Sequence, residues 1–228
     1  MTDKMKRVFH KGEELWKGFL DLLYPPRCAF CHRLLGDKSA PVCPDCLAGL
    51  PYASGDEARQ SFGNVSLCVS PLYYEGFVRD SLLRYKFHGV TAYAPVYAEM
   101  IRAELEPLNL DCSLITWVPL SRKRLRTRGY DQARLIAEEL AKLEGKSCEG
   151  LLKKVRNNAV QSKTGGYENR KRNVAGVYAF SGGDISGKSI LLIDDIATTG
   201  STLSEAAGVL LAAGAEKVTC ASVARKRN

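Results

Sequence analysis

The sequence predicts an α/β domain, a mainly parallel sheet flanked by helices, preceded by a small module built on four cysteines. Three observations carry this reading. Apolar runs alternate with helical patterns from Val65 onward. One of those runs, Ile190 to Ile193, ends in two carboxylates and then in a Thr/Gly/Ser turn. Ahead of them stand two C-x-x-C pairs, Cys28 with Cys31 and Cys43 with Cys46. The 228 residues, 45% of them hydrophobic, suffice for one full α/β domain and one small appendage.

Residues 1–54 read as a helix and a zinc ribbon. Phe9, Trp16, Phe19, Leu20 and Leu23 follow a helical stripe suited to docking on the protein's own core. Each C-x-x-C pair can close a tight knuckle around one tetrahedral metal. Four thiolates leave no open coordination position, so Zn²⁺ on Cys28, Cys31, Cys43 and Cys46 would be structural. Disulfides and an iron–sulfur cluster are the rival readings, the former disfavoured because nothing signals secretion. His32 reads as a surface residue, and Cys68, Cys112, Cys148 and Cys220 as small hydrophobes.

The polar stretch 51–64 reads as a linker, so that the main domain spans 65–228. Within it Val65 to Tyr74 is a strand, and Val78 to Lys86 and Ala94 to Leu105 are helices. Leu114 to Pro119 is a buried strand and Gln132 to Leu143 an amphipathic helix. Val155 to Arg172, with Gly165 and Gly166 and many charges, reads as a long mobile loop. Then come Gly176 to Phe180, the strand that ends in the acid pair, its helix and a final strand Lys217 to Ala224. Ligand is expected beyond the carboxyl ends of the strands.

The acid-pair turn has the chemistry of a sugar phosphate site. Leu203, Ala206, Ala207, Leu210 and Leu211 recur at helical spacing after it, and Thr202 with Glu205 matches a capping box that would start the helix there. A phosphate at that start meets unpaired backbone N–H groups and the positive end of the helix dipole. Gly200 permits close backbone approach, while Thr198, Thr199, Ser201 and Thr202 add hydroxyl donors. As carboxylates, Asp194 and Asp195 only accept, which suits sugar hydroxyls or a hydrated cation rather than the phosphate itself. The division of labour implies a ribose 5-phosphate.

Net charge is +8 and the sequence pI about 9.1. Much of the excess lies in Arg122 to Arg128, Lys153 to Arg156 and Arg170 to Arg172. Such a balance suits polyanions, nucleic acid and a phosphate-rich small molecule alike, and charge alone does not choose between them. No apolar stretch reaches 18 residues, so no membrane span is expected and the protein reads as soluble and cytoplasmic.

Ile190 to Thr202 resembles the phosphoribosyl pyrophosphate (PRPP) motif of type I phosphoribosyltransferases: four apolar residues, Asp-Asp, two apolar residues, then Thr-Thr-Gly-x-Thr. The departure is Ala197, where a larger aliphatic is usual. With the four-cysteine ribbon, the chain is similar to the competence protein F (ComF) family. The segment from Pro119 and Leu120 through Arg124, Arg126, Arg128, Gly129, Tyr130, Asp131 and Gln132 is similar to that family's Pro-Leu-x-x-x-Arg-x-Arg-x-Arg-Gly-Phe-Asn-Gln. Gln161 and the run Arg170 to Asn173 are similar to its later elements. Ser121 and Arg122 stand where His-Pro is common, and Tyr130 and Asp131 replace Phe and Asn.

The resemblance implies a type I phosphoribosyltransferase-like fold that binds PRPP through Asp194, Asp195, Ala197, Thr198, Thr199, Gly200, Ser201 and Thr202. Pro119, Leu120, Ser121 and Arg128 would face the pyrophosphate, and Mg²⁺ would accompany PRPP. Arg170, in the loop that closes over the reaction centre in this family type, is the catalytic candidate. Lys86 and His88 could point into the same cleft, but the sequence shows them no partner and they read as structural or surface groups. The resemblance implies transfer of ribose 5-phosphate to an acceptor the sequence does not identify. The alternative is a PRPP-binding factor that handles single-stranded DNA with the competence machinery.

Overall fold

The computed structural model describes residues 25–36, 40–156 and 176–227, and the chain divides into two units, Met1–Gly49 and Leu50–Asn228. In the first unit, the amide of Cys28 donates to the Arg33 carbonyl and that of His32 to the Cys28 carbonyl, each at 2.9 Å. This closes a tight turn in which His32 takes φ +65°. The second turn runs straight into helix α1 (Pro44–Gly49), whose first bond joins the Leu47 amide to the Cys43 carbonyl. The amphipathic stretch Val8 to Tyr24 lies outside the described residues.

In the second unit β1 (Arg59–Phe62) and β2 (Val65–Val69) form an antiparallel hairpin, followed by β3 (Leu72–Tyr73). Helices α2 (Gly76–Phe87) and α3 (Ala94–Leu105) lead to β4 (Leu114–Trp117). Then come α4 (Arg122–Arg128), α5 (Gln132–Glu144), β5 (Ser147–Cys148), β6 (Leu152–Lys154) and β7 (Tyr178–Phe180). The chain ends with β8 (Ser189–Ala197), α6 (Ser201–Ala212) and β9 (Lys217–Arg225).

The main sheet has the order β1-β2-β9-β8-β4-β5, with β3 also on β9, and every pair except β1 with β2 is parallel. Eight of the nine residues of β9 are buried, as a parallel strand covered on both faces requires. Strand alternation then assigns the faces. Ile190 and Leu192 of β8 pack with Leu203, Ala206, Ala207 and Leu210 of α6. Leu191 and Ile193 point the other way, toward the side where α5 packs on β8 and α3 on β9. The same alternation sends Asp194 and Asp195, next along the strand, to opposite faces.

Three local expectations change. Residues 51–64, read as linker, carry a 3-10 turn and β1, so the second unit begins at Leu50 rather than Val65. As an edge strand with alternately exposed and half-buried residues, β1 shows no apolar run. The strand expected over Val65 to Tyr74 breaks at Ser70 and Pro71, because Pro71 has no N–H for the ladder. The capping box does not form either. Gly200, at φ +69°, is the N-cap without a side-chain bond, and Glu205 instead accepts from the Val177 amide at 2.6 Å.

Candidate functional site

The turn from β8 into α6 wraps a small hollow lined by Asp194, Ile196, Ala197, Thr198, Gly200, Ser201, Thr202 and Leu203. Helix α6 makes its first intrahelical bond from the Ser204 amide to the Gly200 carbonyl, at 2.8 Å. The preceding amides therefore have no intrahelical acceptor, and the dipole is positive there. Thr199 and Ser201 hydroxyls lie 3.0 Å apart. The Phe62 ring presses on the turn so closely that a Cβ on Gly200 would come within 2.4 Å of it. This chemistry suits a small anion.

Beyond the turn opens a cleft of about 1000 Å³. The Asp194 carboxyl, held between burial and the neighbouring Asp195, lies well above the usual carboxylate range. Its Oδ1 accepts from the Asp195 amide at 2.8 Å. Asp195 faces α2, where its Oδ2 is 2.7 Å from Nζ of Lys86.

The opposite wall is the loop Pro119, Leu120 and Ser121 at the end of β4. Asp131 fixes it. One carboxylate oxygen accepts from the Leu120 amide at 2.8 Å, and the other caps α5 through the Arg134 amide at 3.3 Å. Burial raises the Asp131 carboxyl above its ordinary value. Ser121 caps α4 through the Arg124 amide. Gln132, 1% exposed, lines the cleft with an Nε2 that has no hydrogen-bond partner, a donor in need of an acceptor.

Cations outnumber carboxylates here. Lys86, Lys123, Arg124, Arg128 and Lys154 line the cleft against Asp131, Asp194 and Asp195. Arg128 stacks at 5.0 Å from the centre of the Phe87 ring, and Lys154 lies 5.3 Å from that of Tyr178. Burial lowers both cations from their ordinary values, which is the cost of holding charge where water is scarce. An added anion would relieve it.

In the first unit the sulfurs of Cys28, Cys31, Cys43 and Cys46 all lie within 4.8 Å of one another. Cys31 and Cys43 are 3.7 Å apart, matching the edge of roughly 3.8 Å of a tetrahedron with Zn–S arms of about 2.3 Å. All four are free thiols rather than disulfides. Burial pushes the Cys31 thiol up, but hydrogen bonds centred on Arg33 outweigh it and bring it down to about 6, toward the thiolate that a metal needs. Arg33 also pairs with Asp45 at 2.8 Å, tying one knuckle to the other.

Two family models match the chain, a double zinc ribbon domain over residues 19–58 and a phosphoribosyl transferase domain over residues 127–228. The chain is 32% identical to competence protein ComFC of Streptococcus pneumoniae over 197 residues, 86% of this chain and 80% of that one. It belongs to the ComF family. Within that family it is also 26% identical to competence protein F of Haemophilus influenzae, over 92% of this chain and 94% of that one. The DNA utilization protein YhgH of Salmonella typhi is 27% identical, over 84% and 86% of the two chains. The ComF chain is thus a phosphoribosyltransferase-like domain joined to a ribbon whose four cysteines fit a structural zinc ion.

Among the residues expected at the site, Asp194, Asp195, Thr198 and Thr202 share one cleft with Pro119, Leu120, Ser121 and Arg128, while Ala197, Gly200 and Ser201 line the adjoining hollow. Arg170, Gln161 and Asn173 lie outside the described residues. Lys86, which the sequence left as a structural or surface group, is in the cleft with a carboxylate partner, whereas His88 is not part of its lining. Lys154 and Gln132 also reach it, by tertiary packing that spacing does not reveal. No described helix is long and apolar enough to cross a membrane.

Proposed function

We propose that this ComF protein is a phosphoribosyltransferase that moves ribose 5-phosphate from PRPP to an acceptor. The observation that carries the reading is one continuous cleft joining the acid pair and the α6 turn to the loop at the end of β4 and the cationic helix α4 that follows it. The 5-phosphate takes the amides and hydroxyls of Thr198 to Thr202, and the ribose hydroxyls face Asp194 and Asp195. The diphosphate extends toward Leu120, Ser121, Arg124 and Arg128. The Ser121 hydroxyl and the Arg124 and Arg128 guanidinium groups would stabilise the charge that builds on the leaving diphosphate as the bond at the anomeric carbon loosens. The carboxylates, hard oxygen donors, fit Mg²⁺ arriving with PRPP, whose chemistry would be to neutralise the diphosphate.

The test is pyrophosphate release from PRPP and Mg²⁺ across a panel of nucleobases and amines, with calorimetry on Asp195→Asn. The variant should lose PRPP far more than inorganic phosphate, because the sugar contact changes and the anion cradle does not. Equal losses of both ligands would refute the assigned roles. No acceptor-dependent release, with PRPP binding intact, would favour the second reading, a PRPP-binding factor acting on single-stranded DNA. That reading draws on the exposed basic face of α4, where Arg122, Lys123, Arg124 and Arg126 are open to solvent.

A further inference from the structure

Lys86 and Asp195 form an ion pair unlike most others among the described residues. Several of those join near neighbours on exposed helix faces, such as Arg102 with Glu99 or Lys142 with Glu139. Lys86 instead bridges α2 to the end of β8 at 2.7 Å, with side chains only 22% and 10% exposed. Its backbone is pinned. The adjacent Tyr85 is fully buried, its hydroxyl donates to the Gln132 carbonyl at 2.9 Å, and its own carbonyl accepts from the Tyr130 hydroxyl. The ammonium, by contrast, sits on a flexible four-carbon stem and can turn within the cleft while α2 stays still.

Lys86 therefore occupies an oxygen of Asp195 that a ribose hydroxyl would use. Resting on the PRPP reading, we propose that Lys86 is a specificity residue which masks Asp195 until a ligand brings a diphosphate at C1 to take the ammonium in exchange. PRPP can make that trade: its hydroxyls take Asp195 and its diphosphate takes Lys86. Ribose 5-phosphate cannot, because its one phosphate belongs in the α6 turn. It must break a largely buried ion pair with nothing offered to the cation, and such uncompensated charge is costly.

Calorimetry in Mg²⁺ on wild type and Lys86→Met tests the exchange. The variant should bind ribose 5-phosphate about tenfold tighter and PRPP about tenfold weaker, roughly a hundredfold collapse in preference. Lys86→Arg should keep the preference. A second measurement uses wild type alone: saturating inorganic pyrophosphate should draw the ammonium away and tighten ribose 5-phosphate binding, by linkage. Lys86→Met changing both affinities in the same direction and by similar factors, or pyrophosphate failing to tighten ribose 5-phosphate in wild type, would overturn the assignment. Wild type that binds neither sugar phosphate would instead overturn the PRPP reading beneath it.

Discussion

Gly200 meets two demands at once, a left-handed backbone at φ +69° and the flat face of Phe62 where a Cβ would stand. Gly200→Ala should cost about 2–4 kcal/mol, combining backbone strain with displacement of the ring, measured by denaturant unfolding. Adding Phe62→Ala should return only the steric part. Asp194 sets a different balance. Because its carboxyl is raised by burial and by Asp195, the fold favours the protonated form. Its contribution is full below the ordinary carboxylate range and is lost as pH climbs through the raised value. Asp194→Asn should therefore melt close to wild type near pH 3–4, the ordinary carboxylate range being about 4, and increasingly above it toward neutrality, while losing sugar phosphate affinity. A gap that stays constant across pH would contradict this origin.

At the scale of elements, the parts readable in advance are those whose determinants are contiguous. The apolar run of β8, the acid pair, Gly200 and the apolar face of α6 follow one another in sequence, and that whole unit stands as expected apart from its cap. Glu205 carries the capping pattern but is diverted to the Val177 amide, a partner that only folding supplies. Likewise β1 exists because β2 and α6 hold it: the Asn64 amide donates to Ser204 Oγ at 3.0 Å. From sequence Lys86 reads as a structural or surface group and Gln132 only as part of a motif, because a helix end rather than spacing brings each to the cleft. The ribbon was legible from spacing alone. Its four cysteines converge on one point, so Cys43→Ser should abolish zinc by metal analysis and loosen Met1–Gly49, while far-ultraviolet dichroism of the larger unit persists.

For the molecule as a whole, a net charge of +8 draws polyanions without selecting one. The cleft selects more narrowly, since its cations converge around carboxylates and buried donors rather than forming a track. Aromatic side chains for stacking successive bases are few along α4, Phe87 being the exposed ring beside Arg128. Binding of single-stranded DNA should thus be weak, indifferent to sequence and reduced about tenfold or more between 50 and 200 mM salt, whereas PRPP binding should need Mg²⁺ and persist. Titrations of both ligands across a salt series check this, and equal salt slopes would contradict it.

The sheet order also governs how the chain can be made. β2 lies between β1 and β9, so the β1–β2 hairpin finds its inner partner only after β4, β5 and β8 have been made. Until Lys217 to Arg225 emerges, β2 and β3 present open edges, and a hairpin that waits for all the intervening strands is exposed to mispairing. A nascent chain stopped before Lys217 should consequently partition into the insoluble fraction, although it already carries every described residue that lines the cleft.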